Sequence, residues 1–254
     1  MRDHVIDPFA DPTVRALTSH MSIRKYVERP VDESTLDAVL SCAQSAPTSS
    51  HKQAYSVIRV SDPANRAALA VVADDQEWVE EAPVFLVWCA DLYRVRRVVE
   101  MAGASAAYDN IEEFVVATVD TTLAAAYAFA AAEALGLGGV MIGGLRNDPD
   151  VVTRTLGLPR LVFPMYGMCL GYPDEDPGLK PRLPRDLVVF ENRYDPDRIV
   201  DGLPAYDDVV RRYYTVRESN SRETTWTSEM VRKFAESQRP HLRAYLDRQG
   251  FKFE

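Results

Sequence analysis

Residues 111 to 135, IEEFVVATVDTTLAAAYAFAAAEAL, constrain this chain more than any other stretch. They are rich in Ala, Leu, Val, Thr and Glu, good or tolerable helix formers, and small apolar residues run almost all the way round the helix they would make. A helix that is apolar on most faces must be covered on most faces. In a chain of 254 residues it is therefore expected either at the centre of a core or at a subunit interface. Asp120 and Glu133 interrupt the apolar run, so it reads as a buried helix and not as a membrane span. GLGG follows it, and a glycine there can take the left-handed conformation that closes a helix.

The remaining elements fall around that helix. Helices are expected near 12–19, 34–45, 63–72 and 75–81, with Asp32 or Ser34 as cap of the second, and over 149–156 behind Asn147-Asp148-Pro149. YSVIRV (55–60), APVFLVWCA (82–90), the glycine-bracketed GGVMIGG and VFPMYGMCLGY (162–172) read as strands. LVVFENRY reads as one further extended segment, and the charged stretch from Leu92 to Asn110 as mobile or helical. From about Ala205 the chain is helical and charge-rich. Strands and helices interleave without a regular βαβ rhythm, which gives an α+β class. We expect one domain over 1–254, with a helical C-terminal extension from about 205.

Charge excludes one class of partner. The net charge is −9 and the pI about 5.1, whereas bulk nucleic-acid binding needs a broad basic surface. Any anion site must therefore be local. Cys42, Cys89 and Cys169 are far apart and no CxxC pair exists, so they read as buried free thiols of a reducing compartment and not as a zinc or redox site. No metal site is expected. The first residues carry no apolar signal-peptide core, and a cytoplasmic location is the expectation.

Four short stretches could carry chemistry. In HMSIRKY, Ser22 and Arg24 face the same side if extended, and a hydroxyl beside a guanidinium can grip phosphate; a solvated loop fits equally. SAPTSSHKQ offers adjacent hydroxyls that can cap, turn or hold a ligand. GLGGVMIGG runs helix, glycines, strand. That is the reverse of a dinucleotide fingerprint, so Gly143-Gly144 reads as a close backbone approach to a strand or a flat ligand. In KPRLP two prolines stiffen the backbone, so Lys180 and Arg182 lose less entropy on gripping an anion, a ligand phosphate or a nearby carboxylate. HExxH, GxSxG and the P-loop are all missing. Chemistry without a side-chain catalyst points to a cofactor.

HMSIRKY, the APTSS loop, the alanine-rich helix running into ALGLGGVMIGGLRN, VFPMYGMCLGYP, LKPRLP and ENRY occur in an order that resembles the nitroreductase superfamily, and within it the NADPH-dependent FMN oxidoreductases. The resemblance runs from about Ser19 to the C-terminus. It implies a mixed sheet flanked by helices, an interlocked homodimer, and FMN bound at the dimer interface. By the same resemblance His20, Met21, Ser22, Ile23 and Arg24 approach the FMN phosphate and ring edge, and Thr48, Ser50 and Gln76 contact flavin. Met141, Ile142, Gly143 and Gly144 form a backbone shelf, and Lys180 and Arg182 supply cations to the flavin. Arg217 and Arg222 match a loop that binds the 2′-phosphate of NADPH, although Glu218 and Glu223 adjoin them and could pair with them. Arg239 matches an arginine of the acceptor pocket. The implied activity is ping-pong hydride transfer from NADPH to nitroaromatics, quinones or flavins; a non-catalytic FMN-binding sensor or carrier is the alternative. Met21 stands where the family often has Arg and Met141 where an aromatic is common, so flavin affinity and acceptor choice rest on these positions.

Overall fold

The computed structural model describes residues 7–105, 110–217 and 221–253, and within them two compact units, 1–175 with 239–254 and 176–238. In the larger unit, α1 (Pro12–Thr18) and α2 (Glu33–Gln44) lead to β1 (Tyr55–Arg59), α3 (Pro63–Val72) and α4 (Trp78–Glu81). Next come β2 (Val84–Asp91), α5 (Tyr93–Met101), α6 (Ile111–Ala134), β3 (Gly138–Ile142), α7 (Pro149–Leu156) and β4 (Val162–Gly171). The sheet order is β1-β2-β4-β3, all neighbours antiparallel, and a parallel bridge from Ser22 to Gly139 gives it its mixed character.

β2 lies inside the sheet and is buried along its whole length. Its side chains alternate between two cores, as the two-residue period of a strand requires. Phe85, Val87 and Cys89 pack with Val60, Leu69, Val79 and Val152, on the side of α3, α4 and α7. Val84, Leu86 and Trp88 pack with Leu36, Val39, Ala124, Ala128 and Ala132, on the side of α2 and α6. A third cluster joins Ala90 and Phe163 to Tyr245, Leu246 and Phe251 at the C-terminal end of the chain.

α6 behaves as its composition requires, with a qualification. Alanines at 124, 125, 128 and 132 have no exposed surface and let the helix lie close to the sheet. Gly136, at φ +82°, supplies the left-handed closure. Yet Ile111, Val115, Val119 and Tyr127 remain exposed, so one apolar face of the helix is uncovered in the single chain. The helix is also long and apolar enough to cross a membrane, but its other faces pack into the core.

The second unit holds a short 3-10 turn (Arg185–Leu187), α8 (Pro196–Val216) and α9 (Trp226–Phe234). Its core is Tyr206, Val210 and Tyr214, with Leu183, Tyr213 and Trp226 packed against them. Thr225 and Ser228 form a reciprocal capping box at the start of α9. α10 (Leu242–Gln249) returns the chain to the first unit.

Three local expectations fail for physical reasons. LVVFENRY does not enter a sheet. Asn192 takes φ +62°, and Phe190 stacks on Tyr194 at 4.7 Å and under Arg198 at 4.4 Å instead of pairing its backbone. The helix expected from 75 starts only at Trp78, because Asp74 and Asp75 sit at φ +62° and +55°. Cys42 is exposed on α2, whereas Cys89 and Cys169 are buried as expected, and burial raises both of those thiols far above their usual range. Of the stretch from Leu92 to Asn110, the first part is α5, and 106–109 lie outside the described residues.

Candidate functional site

The HMSIRKY segment is held against the edge of the sheet. The Ile23 amide donates to the Gly139 carbonyl at 2.8 Å beside the Ser22 bridge, and Ile23 is buried against Gly138. A Cβ at Gly138 would lie 2.6 Å from Ile23 Cγ1, so glycine is what permits this approach. His20 is fixed at Nδ1 by Glu133 Oε1 at 2.6 Å and edge-on to Phe129 at 5.2 Å. Met21 lines a cavity of about 170 Å³ together with Ser19, Glu133 and Glu175. Glu175 accepts the amides of Arg24 and Lys25, which leaves the Arg24 side chain exposed.

From Arg24 a chain of contacts runs to Arg239. The Arg24 guanidinium lies 5.6 Å from the Trp78 ring, and Trp78 Nε1 donates to Gln76 Oε1 at 3.1 Å. Two residues back, Asp74 accepts from Asn147 Nδ2 at 3.0 Å, and Asn147 Oδ1 accepts from Arg239 Nε at 2.9 Å. Arg146 donates to the Met165 carbonyl and packs under Gly143. Its guanidinium is made less basic than usual by burial first and by the Arg239 charge second. Gly144 lies against Ala73, where a Cβ would come within 2.8 Å of the Ala73 Cα. So Arg24 is joined to Gln76 through Trp78, and Asp74 to Arg239 through Asn147, the two sets linked by the backbone between 74 and 76, while Gly144 is buried behind Gly143. β3 is an edge strand, and among the described residues no bridge covers its outer edge beyond Gly139. Met141 stands exposed there, while Ile142 is buried in the core.

The hydroxyl loop is held elsewhere. Ser50, His51 and Gln53 all take left-handed φ values, +48°, +58° and +51°, a costly run for residues other than glycine. Asp120, fully buried on α6, brackets the loop. Its two oxygens accept the amides of Ser49 and Ala54, each at 2.9 Å. Lys52 is anchored on Glu113, one oxygen at 2.7 Å. Thr48 and Ser50 are thus presented by a strained loop pinned to the middle of α6, while His20 is pinned near its end.

In the second unit, Lys180 and Arg182 line a cavity of about 470 Å³ with Tyr206, Tyr214, Arg222, Trp226, Glu229, Arg232 and Lys233. Tyr206 donates to the Pro181 carbonyl at 3.1 Å and so locks the stiff KPR segment in place. Burial raises the Tyr206 hydroxyl pKa, and Arg182 opposes it. Arg222 lies 4.6 Å from the Tyr214 ring and pairs with Glu229 at 3.2 Å, not with its neighbour Glu223. Arg217 stacks on Tyr213 and Tyr214 at 5.4 and 5.6 Å, its Nε shielded and without a partner. Glu218 lies outside the described residues.

Sequence reasoning missed the residues that hold these groups: Glu133, Asp120, Arg146, Asn147, Trp78, Glu229, Arg232 and Lys233. For the first two a signal existed, because an acid in an otherwise apolar helix must have a buried partner. Among the described residues no group of three or more acidic, His or Cys side chains could hold a metal ion.

The nitroreductase family model matches residues 17–172, and the model of that family's C-terminal domain matches residues 180–254. The chain is 41% identical over 241 residues to the oxygen-insensitive NADPH nitroreductase of Salmonella typhimurium, covering 94% of this chain and 98% of that one. It is 38% identical over 243 residues to the FMN reductase (NADPH) of Bacillus subtilis, with the same coverage. Among solved structures, the NfrA1 nitroreductase from B. subtilis matches with a TM-score of 0.90 at 37% identity, over 94% of this chain and 98% of that one. The NADPH:FMN oxidoreductase from Vibrio harveyi, complexed with NAD+, matches with a TM-score of 0.85 at 36% identity and the same coverage.

Proposed function

Since the chain belongs to the nitroreductase family, we propose that it is an NADPH-dependent FMN oxidoreductase that passes reducing equivalents to small oxidised acceptors such as nitroaromatics, quinones or flavins. The observation that carries this reading is the connected surface from Arg24 through Gln76 to Arg239 beside the uncovered edge of β3. That surface fits a flat, anionic cofactor. It offers the exposed Met141 on the edge strand and the Arg24 cation at its margin, with the half-buried Gly143 just beyond the strand end. FMN, when bound, supplies hydride acceptance and donation at one ring nitrogen.

The protein's own residues bind and orient. His20, Ser22 and Arg24, with Met21 and Ile23 between them, hold the phosphate and ring edge. Gln76 is aimed by its bond to Trp78, and Thr48 and Ser50 complete the grip. Lys180 and Arg182 would offer positive charge to the flavin, which favours its reduction. Arg217 and Arg222 receive the 2′-phosphate of NADPH, and Arg239, steadied by Asn147, lines the acceptor pocket.

The same reading makes the protein a homodimer. Glu133, which fixes His20, and Asp120, which fixes the Ser50 loop, are thirteen positions apart on α6. At helical rise that is about 20 Å, so the two sets lie at separate places on one chain. A second copy bringing its loop to the first copy's sheet edge joins them, and the exposed apolar face of α6 offers the contact. We place this dimer in the cytoplasm, where NADPH and reduced thiols are found.

Anaerobic addition of NADPH to the yellow holoprotein tests the function. Bleaching, followed by recolouring with a quinone or nitroaromatic, is the expected result. Bound FMN that stays oxidised under NADPH would overturn the reading and favour a sensor or carrier.

A further inference from the structure

Glu229 holds two guanidiniums at once. Its Oε1 meets Arg222 Nη2 at 3.2 Å and its Oε2 meets Arg232 Nη2 at 2.8 Å. Thr224 adds a hydroxyl to Oε1 at 3.1 Å. The carboxylate's pKa is lowered, chiefly by the hydrogen bond from Arg232. Arg222, Glu229, Arg232 and Lys233 line the same cavity. Each arginine gives this carboxylate a terminal nitrogen, which leaves the remaining donors of its fork for a ligand. Without the carboxylate, two like charges this close would repel. Lys180, Arg182, Arg222, Arg232 and Lys233 set five cations against one carboxylate, a net positive cavity for a phosphomonoester, which carries about −1.5 to −2 at neutral pH.

We propose that Arg232 is a second phosphate-binding guanidinium beside Arg222, that Glu229 is the positioning residue setting the two as a clamp, and that the pair selects a coenzyme bearing a phosphomonoester over one without it. The inference rests on the reading of this cavity as the place where the NADPH 2′-phosphate is received. It assigns the selectivity to a carboxylate-bridged pair whose second member lies ten residues further along the chain, on α9. Arg232 is mostly exposed and its removal leaves the core of the unit untouched.

The test uses the FMN-loaded enzyme and the variants R222A, R232A, R232K and E229Q. The readouts are the ratio of kcat/KM for NADPH to that for NADH, and the calorimetric affinity for 2′,5′-ADP against 5′-ADP. R232A is expected to lower the ratio roughly tenfold and to weaken 2′,5′-ADP selectively, because a charge-assisted fork is lost. R232K should recover part of the loss, since it restores charge without the fork. E229Q should lower the ratio several-fold by freeing the two arginines from each other, with flavin absorbance and Tm retained. If R222A lowers the ratio and R232A does not, the inference fails while the NADPH reading of the cavity stands. If neither changes it, both fail. An unchanged or raised ratio in E229Q overturns the positioning role.

Discussion

Asp120 shows what a single side chain does here. It is fully buried, and its carboxylate accepts the two backbone amides that bracket a loop with three left-handed residues. Asp120→Ala leaves both amides without a partner, at about 1–3 kcal/mol each. The expected outcome is a Tm lower by several degrees in a melting curve and faster loss of flavin on dilution; a variant that keeps both would remove the loop from the site. Gly144→Ala forces a Cβ to within 2.8 Å of the Ala73 Cα, a backbone atom that cannot swing aside. Overpacking of this kind costs about 1–3 kcal/mol, measurable by urea denaturation. At this scale the sequence was partly readable. A close approach was expected at Gly143-Gly144 to a strand or flat ligand; Gly144 instead meets Ala73 at the end of α3, and the approach of Gly138 to Ile23 was not foreseen. Which carboxylate each polar group would find was not readable. His20 with Glu133 spans 113 positions and Ser49 with Asp120 spans 71, and no local pattern encodes such pairs.

Among the elements, α6 carries both the core and the expected subunit contact. Its alanines at 124, 125, 128 and 132 are completely buried, while Ile111, Val115 and Val119, each four positions apart, stay exposed on one face. Val115→Glu with Val119→Glu places two charges on that face without touching the buried one. Sedimentation velocity should then show a monomer, against the dimer proposed for the parent protein, with the far-ultraviolet spectrum of the chain preserved. Helices and strands with strong periodicity were legible in the sequence to within a few residues, α3 and α7 included. LVVFENRY was not, because an apolar run with good strand propensity becomes a strand only if a partner edge lies within reach. Phe190 and Tyr194 bury each other locally instead.

For the whole molecule, the distribution of charge matters more than its sum. The chain carries net charge −9, yet Lys180, Arg182, Arg222, Arg232 and Lys233 line one cavity with Glu229 as its acidic member. Screening weakens such a local field, so KM for NADPH should rise more steeply with added salt than KM for NADH; equal slopes would show that the cavity does not read the extra phosphate. The order of motifs along the chain made the family legible, and the family carried the fold. The second compact unit is richer in charged residues than the first and holds no strand among its described residues, and only its helical part, from about 205, was legible in the sequence as an extension. Cys89 and Cys169 lie on the sheet's two central strands, β2 and β4, without solvent access, and burial raises their thiol pKa. Cys42 is open on α2. A maleimide added to the native protein should therefore attach quickly at Cys42, and reach the other two only when β2 and β4 part. The chain thus keeps a built-in clock for the opening of its sheet, one that ticks at the rate of unfolding and can be read by mass spectrometry without any added label site.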